Sequence, residues 1–152
     1  KYNIKAIFFI PTKFIGQSDF LSKCEIQLIC DLGHIIGSHS HSHPNPFCRL
    51  SKERMSEEIK KSFSILEDII QKKVSKFSVP GGEVNNNCLS HICYSHKNIN
   101  ELYTSLPHKG EYKRIGDTKI IGRLCIENGM SSNKFLSYAS GKGWLRNKLY
   151  YL

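Results

Sequence analysis

Short apolar runs that stop at turn-forming residues, separated by stretches of helical period, constrain this chain more than any other feature. Residues 4–10 (Ile-Lys-Ala-Ile-Phe-Phe-Ile) run into Pro11, as a buried strand does. Ser22-Lys23-Cys24-Glu25 is a Ser-x-x-Glu capping box, Ile26, Ile29 and Leu32 follow at helical spacing, and Gly33 stops the helix. Residues 34–38 and 74–79 read as the next two strands. Between them Ser51 caps a helix in which Met55, Ile59, Phe63, Leu66 and Ile70 recur every three or four residues, with Glu57, Glu58, Lys60 and Lys61 assigned to the solvent face. Residues 102–104 and 119–126 read as later strands and residues 133–140 as a closing helix. Strand and helix in alternation argue an α/β fold with a mostly parallel sheet.

At the end of the second strand the chain reads Gly33-His34-Ile35-Ile36-Gly37-Ser38-His39-Ser40-His41-Ser42-His43-Pro44. Imidazole is the commonest protein metal ligand, and His39 and His43 can face one divalent ion if the segment between them makes a helix-like turn. Such a turn sends His41 elsewhere. The competing reading of the same residues is a solvated polar loop. His34, just past the helix stop, reads as a capping or packing residue.

The block resembles the second motif of polysaccharide deacetylases, the NodB-like carbohydrate esterases of family 4, on His39-Ser40-His41-Ser42-His43-Pro44 with its Gly33-His34-Ile35-Ile36-Gly37 approach. Further segments are similar to the family in the same order. These are Ile4-Lys5-Ala6-Ile7-Phe8-Phe9-Ile10, Leu50-Ser51-Lys52-Glu53, Phe77-Ser78-Val79-Pro80-Gly81-Gly82, Tyr103-Thr104-Ser105-Leu106-Pro107 and Ile121-Gly122-Arg123-Leu124. The resemblance implies a distorted (β/α)7 barrel, with residues 1–152 as a single NodB homology domain. No Thr-Phe-Asp-Asp-Gly motif precedes the first strand, so the expectation is an N-terminally incomplete domain lacking its first strand and helix. Ser78 stands where the family carries Arg, Gly81 where it carries an aromatic residue, and no Leu-His motif follows.

The chemistry implied is hydrolysis of the N-acetyl group of an amino-sugar glycan. A divalent ion, Zn²⁺ by resemblance, would be held by one aspartate together with His39 and His43, and a second aspartate would be the base. The catalytic residues of that set are not assignable in this chain. Pro80 and Gly81 are candidate substrate-binding residues forming a wall of the sugar pocket, or equally a plain turn leaving a strand. Thr104 and Ser105 are assigned to packing or strand termination, and Arg123 to pairing with a carboxylate.

The alternative is a catalytically degenerate sugar-binding relative of the same fold. Hydrolysis of another small amide or ester follows it, and a nucleic-acid binder comes last. The formal charge of +9 comes mostly from scattered lysine, without a basic run, and reads as solvated surface. No apolar stretch approaches the ~20 residues of a membrane span. Six cysteines without a C-x-x-C pair read as reduced, with Cys24, Cys30 and Cys125 as small core residues, a lean towards a cytoplasmic setting.

Overall fold

A computed structural model describes residues 4–106 and 110–140. Strands β1 (Ile7–Ile10), β2 (Ile35–Ser38), β3 (Lys76–Ser78) and β4 (Glu101–Tyr103) pair in parallel in chain order. β6 (Thr118–Gly122) joins β4 in parallel, and β5 (Gly110–Ile115) closes the order as an antiparallel partner of β6. The sheet is therefore mixed, in the order β1-β2-β3-β4-β6-β5. The α/β class is as the sequence reads, and β5 is an addition that the charged segment Gly-Glu-Tyr-Lys-Arg-Ile did not announce.

Three helices connect the first four strands. Helix α1 (Lys23–Asp31) starts on the capping box, with Ser22 Oγ accepting from Glu25 N and the Glu25 carboxylate accepting from Ser22 N. Helix α2 (Lys52–Ile70) is capped by Ser51, and α3 (Asn86–Ser95) by Asn85. Right-handed crossovers between strands in monotonic order place all three helices on one face of the sheet. That face holds the core, in which Phe77 of β3 meets Phe47 and Phe63, and Leu66, Ile92 and Leu102 are inaccessible to solvent. Truncating a buried phenylalanine such as Phe77 costs about 3–5 kcal/mol.

Alternation along each strand turns the neighbouring residues to the opposite face. There Phe9 packs on Tyr103 with ring centroids 4.9 Å apart, and Glu101 takes Lys76 and the Tyr103 hydroxyl as partners. Gly37 sits opposite Phe9 in the β1–β2 register, and a Cβ there would lie 2.6 Å from the Phe9 ring. A fourth helix, α4 (Ser132–Ala139), follows the sheet.

Several expectations are corrected. Cys30 is buried, but Cys24 and Cys125 are exposed; the six thiols are unpaired. Cys24 lies in the first turn of α1 and Cys125 beyond the end of β6, where neither segment turns them inward. Glu58 is not on the solvent face of α2 but 2% exposed, because it falls on the stripe defined by Met55, Ile59 and Ser62. Among the described residues no helix is long and apolar enough to cross a membrane.

Candidate functional site

His39 and His43 lie at the C-terminal end of β2, the end at which functional groups collect in parallel α/β sheets. Their Nε2 atoms are 3.2 Å apart. His39 Nδ1 is 2.7 Å from the Ser78 carbonyl oxygen. A carbonyl only accepts, so Nδ1 holds the proton and Nε2 presents its lone pair to His43. Two imidazole nitrogens at such a distance share either a proton or a cation.

The separation fits a metal. Two nitrogens each about 2.0–2.1 Å from a tetrahedral Zn²⁺ lie about 3.3 Å from one another. The Ser78 carbonyl is also the kind of partner that a ligating histidine uses to fix its tautomer. Among the described residues no cluster of three or more His, Cys, Asp or Glu side chains surrounds the pair. Burial, chiefly, holds His39 below its ordinary pKa; the Ser78 carbonyl opposes this, and the charges of His43 and Arg123 add to it.

The segment between the histidines is not the helix-like turn expected from their spacing. It is a bend in which Ser40 and His43 take positive φ, 64° and 57°. Hydrogen bonds hold it there. Ser62 donates to the Ile59 carbonyl and Ser38 to Ser62, while Ser40 N donates to Ser38 Oγ and His43 N to Ser40 Oγ. Each link turns the next residue, so the path runs from the buried face of α2 to His43.

The second anchor is Glu58. Its Oε2 accepts from the backbone N–H groups of His41 and Ser42 at 2.9 and 2.7 Å, and its Oε1 accepts from Ser42 Oγ and Arg54. Burial pushes this carboxyl upward; the Ser42 hydrogen bonds, with Arg54 and the His41 amide, overcome it and leave it below the usual carboxylate value. Sequence reading missed Glu58. The available signal was a charge on the apolar stripe of α2, where a carboxylate stays only if it is paired.

His41 points away from the pair, with Nδ1 2.9 Å from Thr12 Oγ1. His34 packs edge-on against Phe8 and accepts from Ala6 N. Pro80 is buried and Gly81 exposed at the end of β3. Gly81 has φ 69°, and a Cβ there would meet Asn45 Oδ1 at 2.2 Å, so its closest approach is to the chain's own Asn45. Thr104 is buried and accepts from Leu106 N, while Ser105 N donates to the Gly82 carbonyl. Among the described residues Arg123 pairs with no carboxylate. Its Nε donates to the Thr104 carbonyl at 3.1 Å and its guanidinium lies 5.8 Å from the Phe9 ring centroid. Ser78 Oγ is buried with no hydrogen-bond partner among the described residues.

Residues 1–104 match the polysaccharide deacetylase family. The chain belongs to that family. A peptidoglycan deacetylase from Helicobacter pylori is 28% identical over 123 residues, 78% of this chain and 39% of that protein. Among solved structures, a polysaccharide deacetylase from Bacillus cereus superposes with a TM-score of 0.74 at 22% identity, over 90% of this chain and 42% of the other. A Bacillus anthracis protein described as a CE4 family pseudoenzyme superposes with a TM-score of 0.55 at 21% identity, over 65% of this chain and 33% of the other. The deacetylase-family chain thus shares its fold with these structures and spans about two fifths of the length of its Helicobacter relative.

Proposed function

We propose that the protein containing this chain is a metal-dependent hydrolase that removes N-acetyl groups from amino-sugar glycans, with His39 and His43 as ligands of a divalent ion, Zn²⁺ by family resemblance. Residues 1–152 are read as part of one NodB homology domain. The observation that carries the reading is the 3.2 Å approach of the two Nε2 atoms, with the His39 tautomer set by Ser78.

A bound divalent ion supplies Lewis acidity towards the acetamide oxygen and lowers the pKa of a bound water. The chain's own contributions are positional. The Ser78 carbonyl keeps the His39 lone pair outward, and Glu58 with the Ser38–Ser40–Ser62 hydrogen bonds fixes the loop that carries His43. The exposed backbone of Gly81, backed by buried Pro80, offers a wall to the sugar. The aspartate ligand and the base are assigned by resemblance to a strand pairing with β1, not to any described residue.

The test is acetate release from N-acetylglucosamine oligomers by the gene's complete product, with and without a chelator. Chelator-sensitive release that His39→Ala and His43→Ala each abolish supports the reading. A protein that binds one Zn²⁺ through both histidines but deacetylates no amino sugar in a broad panel is instead a sugar-binding relative. The observation favouring that second reading is Ser78, whose buried hydroxyl has no partner among the described residues and stands where the family resemblance expects an arginine.

A further inference from the structure

Helices α2 and α3 hold a second group of imidazoles between them. His91 Nε2 lies 3.0 Å and His96 Nε2 3.2 Å from the same Ser56 Oγ, with the two rings edge-on and their centroids 6.3 Å apart. His91 Nε2 is also 2.9 Å from the Lys52 carbonyl oxygen, one turn of α2 before Ser56. His96 is buried, whereas Ser56 and His91 are half-buried, so the group is reached from the surface at His91.

Without an ion the protons have one arrangement. A carbonyl only accepts, so His91 Nε2 turns its proton towards Lys52 and Ser56, and the Ser56 hydroxyl gives its own to His96 Nε2. Transfer of the His91 proton to Nδ1, where Ser95 Oγ lies 3.4 Å away as an acceptor, frees Nε2. Lone pairs of two imidazoles and a hydroxyl then converge. Two donors about 2.0–2.1 Å from an ion and at right angles to each other are about 2.9 Å apart. The spacings of 3.0 and 3.2 Å are close to that, and right-angled nitrogen and oxygen donors suit Ni²⁺ or Cu²⁺. Glu53 is near enough to His91, and Lys60 to His96, for their charges to be felt, and these two exposed charges offset one another.

We propose that His91, His96 and Ser56 form a second metal position, which takes one divalent ion of the Ni²⁺ or Cu²⁺ kind through the two Nε2 atoms and the hydroxyl and ties α2 to α3. The helix so braced also carries Glu58 and Ser62, the anchors of the histidine loop. The position is independent of the deacetylase reading, because it shares no ligand with His39 and His43.

The complete gene product, without an affinity tag and with zinc already bound, is titrated with Ni²⁺ by calorimetry. One nickel ion should bind beyond the zinc and raise the melting temperature. His91→Ala, His96→Gln and Ser56→Ala should each weaken nickel binding by at least about ten-fold, with zinc stoichiometry unchanged. The double variant His39→Ala, His43→Ala should keep the native nickel affinity. With water filling its other positions the nickel ion is paramagnetic, so proton NMR of the nickel-loaded double variant should show strongly shifted ring signals from two histidines. That readout holds even if His96→Gln fails to fold, and none of the measurements involves deacetylation. Absence of nickel binding, binding that any of the three single variants leaves unchanged, its loss in the double variant, or shifted signals from fewer than two rings overturns the proposal.

Discussion

The Glu58 carboxylate grips Ser42 twice, accepting its backbone N–H at 2.7 Å and its hydroxyl at 2.7 Å. A side chain of α2 thereby sets the position of the residue immediately before the candidate ligand His43. Because Glu58 is 2% exposed, water cannot substitute for it. The clamp connects the packing of α2 to the geometry of His43.

Glu58→Ala should leave the His41 and Ser42 amides without their acceptor, destabilising the protein by about 3 kcal/mol. Zinc affinity should fall about ten- to a hundred-fold, as when other supports of metal ligands are removed. Glu58→Gln keeps one carbonyl acceptor and should fall between. Thermal denaturation and zinc titration on the same samples decide it; native zinc affinity in a destabilised Glu58→Ala protein would confine Glu58 to a role in folding.

Zinc binding should depend on His39 and His43 and be nearly indifferent to His41 and His34. His41 is turned to Thr12 and His34 to Phe8 and Ala6, so neither ring faces the pair. In zinc titrations of the four alanine variants, the first two should lose binding by at least about a hundred-fold and the others by less than about ten-fold. Equal losses across His39, His41 and His43 would show a diffuse polyhistidine site in place of a defined pair.

The elements legible beforehand are those with a local chemical start and stop. α1 and α2 begin at Ser22 and Ser51, where the capping signals lie, and the stripe from Met55 to Ile70 is buried as its spacing requires. α3 was not read, although Asn85 caps it and Cys88, Leu89, Ile92 and Cys93 fall on one face. Two of those four are cysteines, which a reading attentive to thiol pairing does not count as a hydrophobic stripe. β5 was hidden because, as an antiparallel edge, it carries Glu111, Lys113 and Arg114 in exposed positions and shows no apolar alternation. At the site, the approach of His39 to His43 was legible from spacing and resemblance. The clamp was not, since His41 and Ser42 reach Glu58 across 16 or 17 residues, and only folding reveals that contact.

In metal-free protein His96 offers a pH test away from the His39–His43 site. Burial pushes it down to about 4, with the neighbouring charges of His91 and Lys60 acting in the same direction, and its Nε2 lies 3.2 Å from Ser56 Oγ. The unfolded chain, with an ordinary histidine pKa near 6.5, takes up the proton first as the pH falls. The contribution to stability is therefore complete above about pH 6.5 and is lost progressively towards about pH 4. Between pH 7 and 5, where carboxylates remain mostly ionised, the native melting temperature should fall. His96→Gln should fall less steeply over the same interval, the remaining slope coming from His39 and His41, which are also held below their ordinary values. Parallel slopes for the two proteins would mean that His96 is protonated equally in the folded and unfolded states.

Gly81 separates backbone strain from steric conflict at the proposed sugar wall. An alanine there would hold φ near 69° and place its Cβ 2.2 Å from Asn45 Oδ1. The left-handed backbone alone costs about 1–2 kcal/mol for a residue with a Cβ. Gly81→Ala should lose that and the added cost of moving the Asn45 side chain, whereas Asn45→Ala combined with Gly81→Ala should recover only the second part. Denaturant unfolding of the two single variants and the double variant closes the cycle. Losses that simply add in the double variant would show that Asn45 moves aside freely, leaving backbone conformation as the whole reason for a glycine at this position.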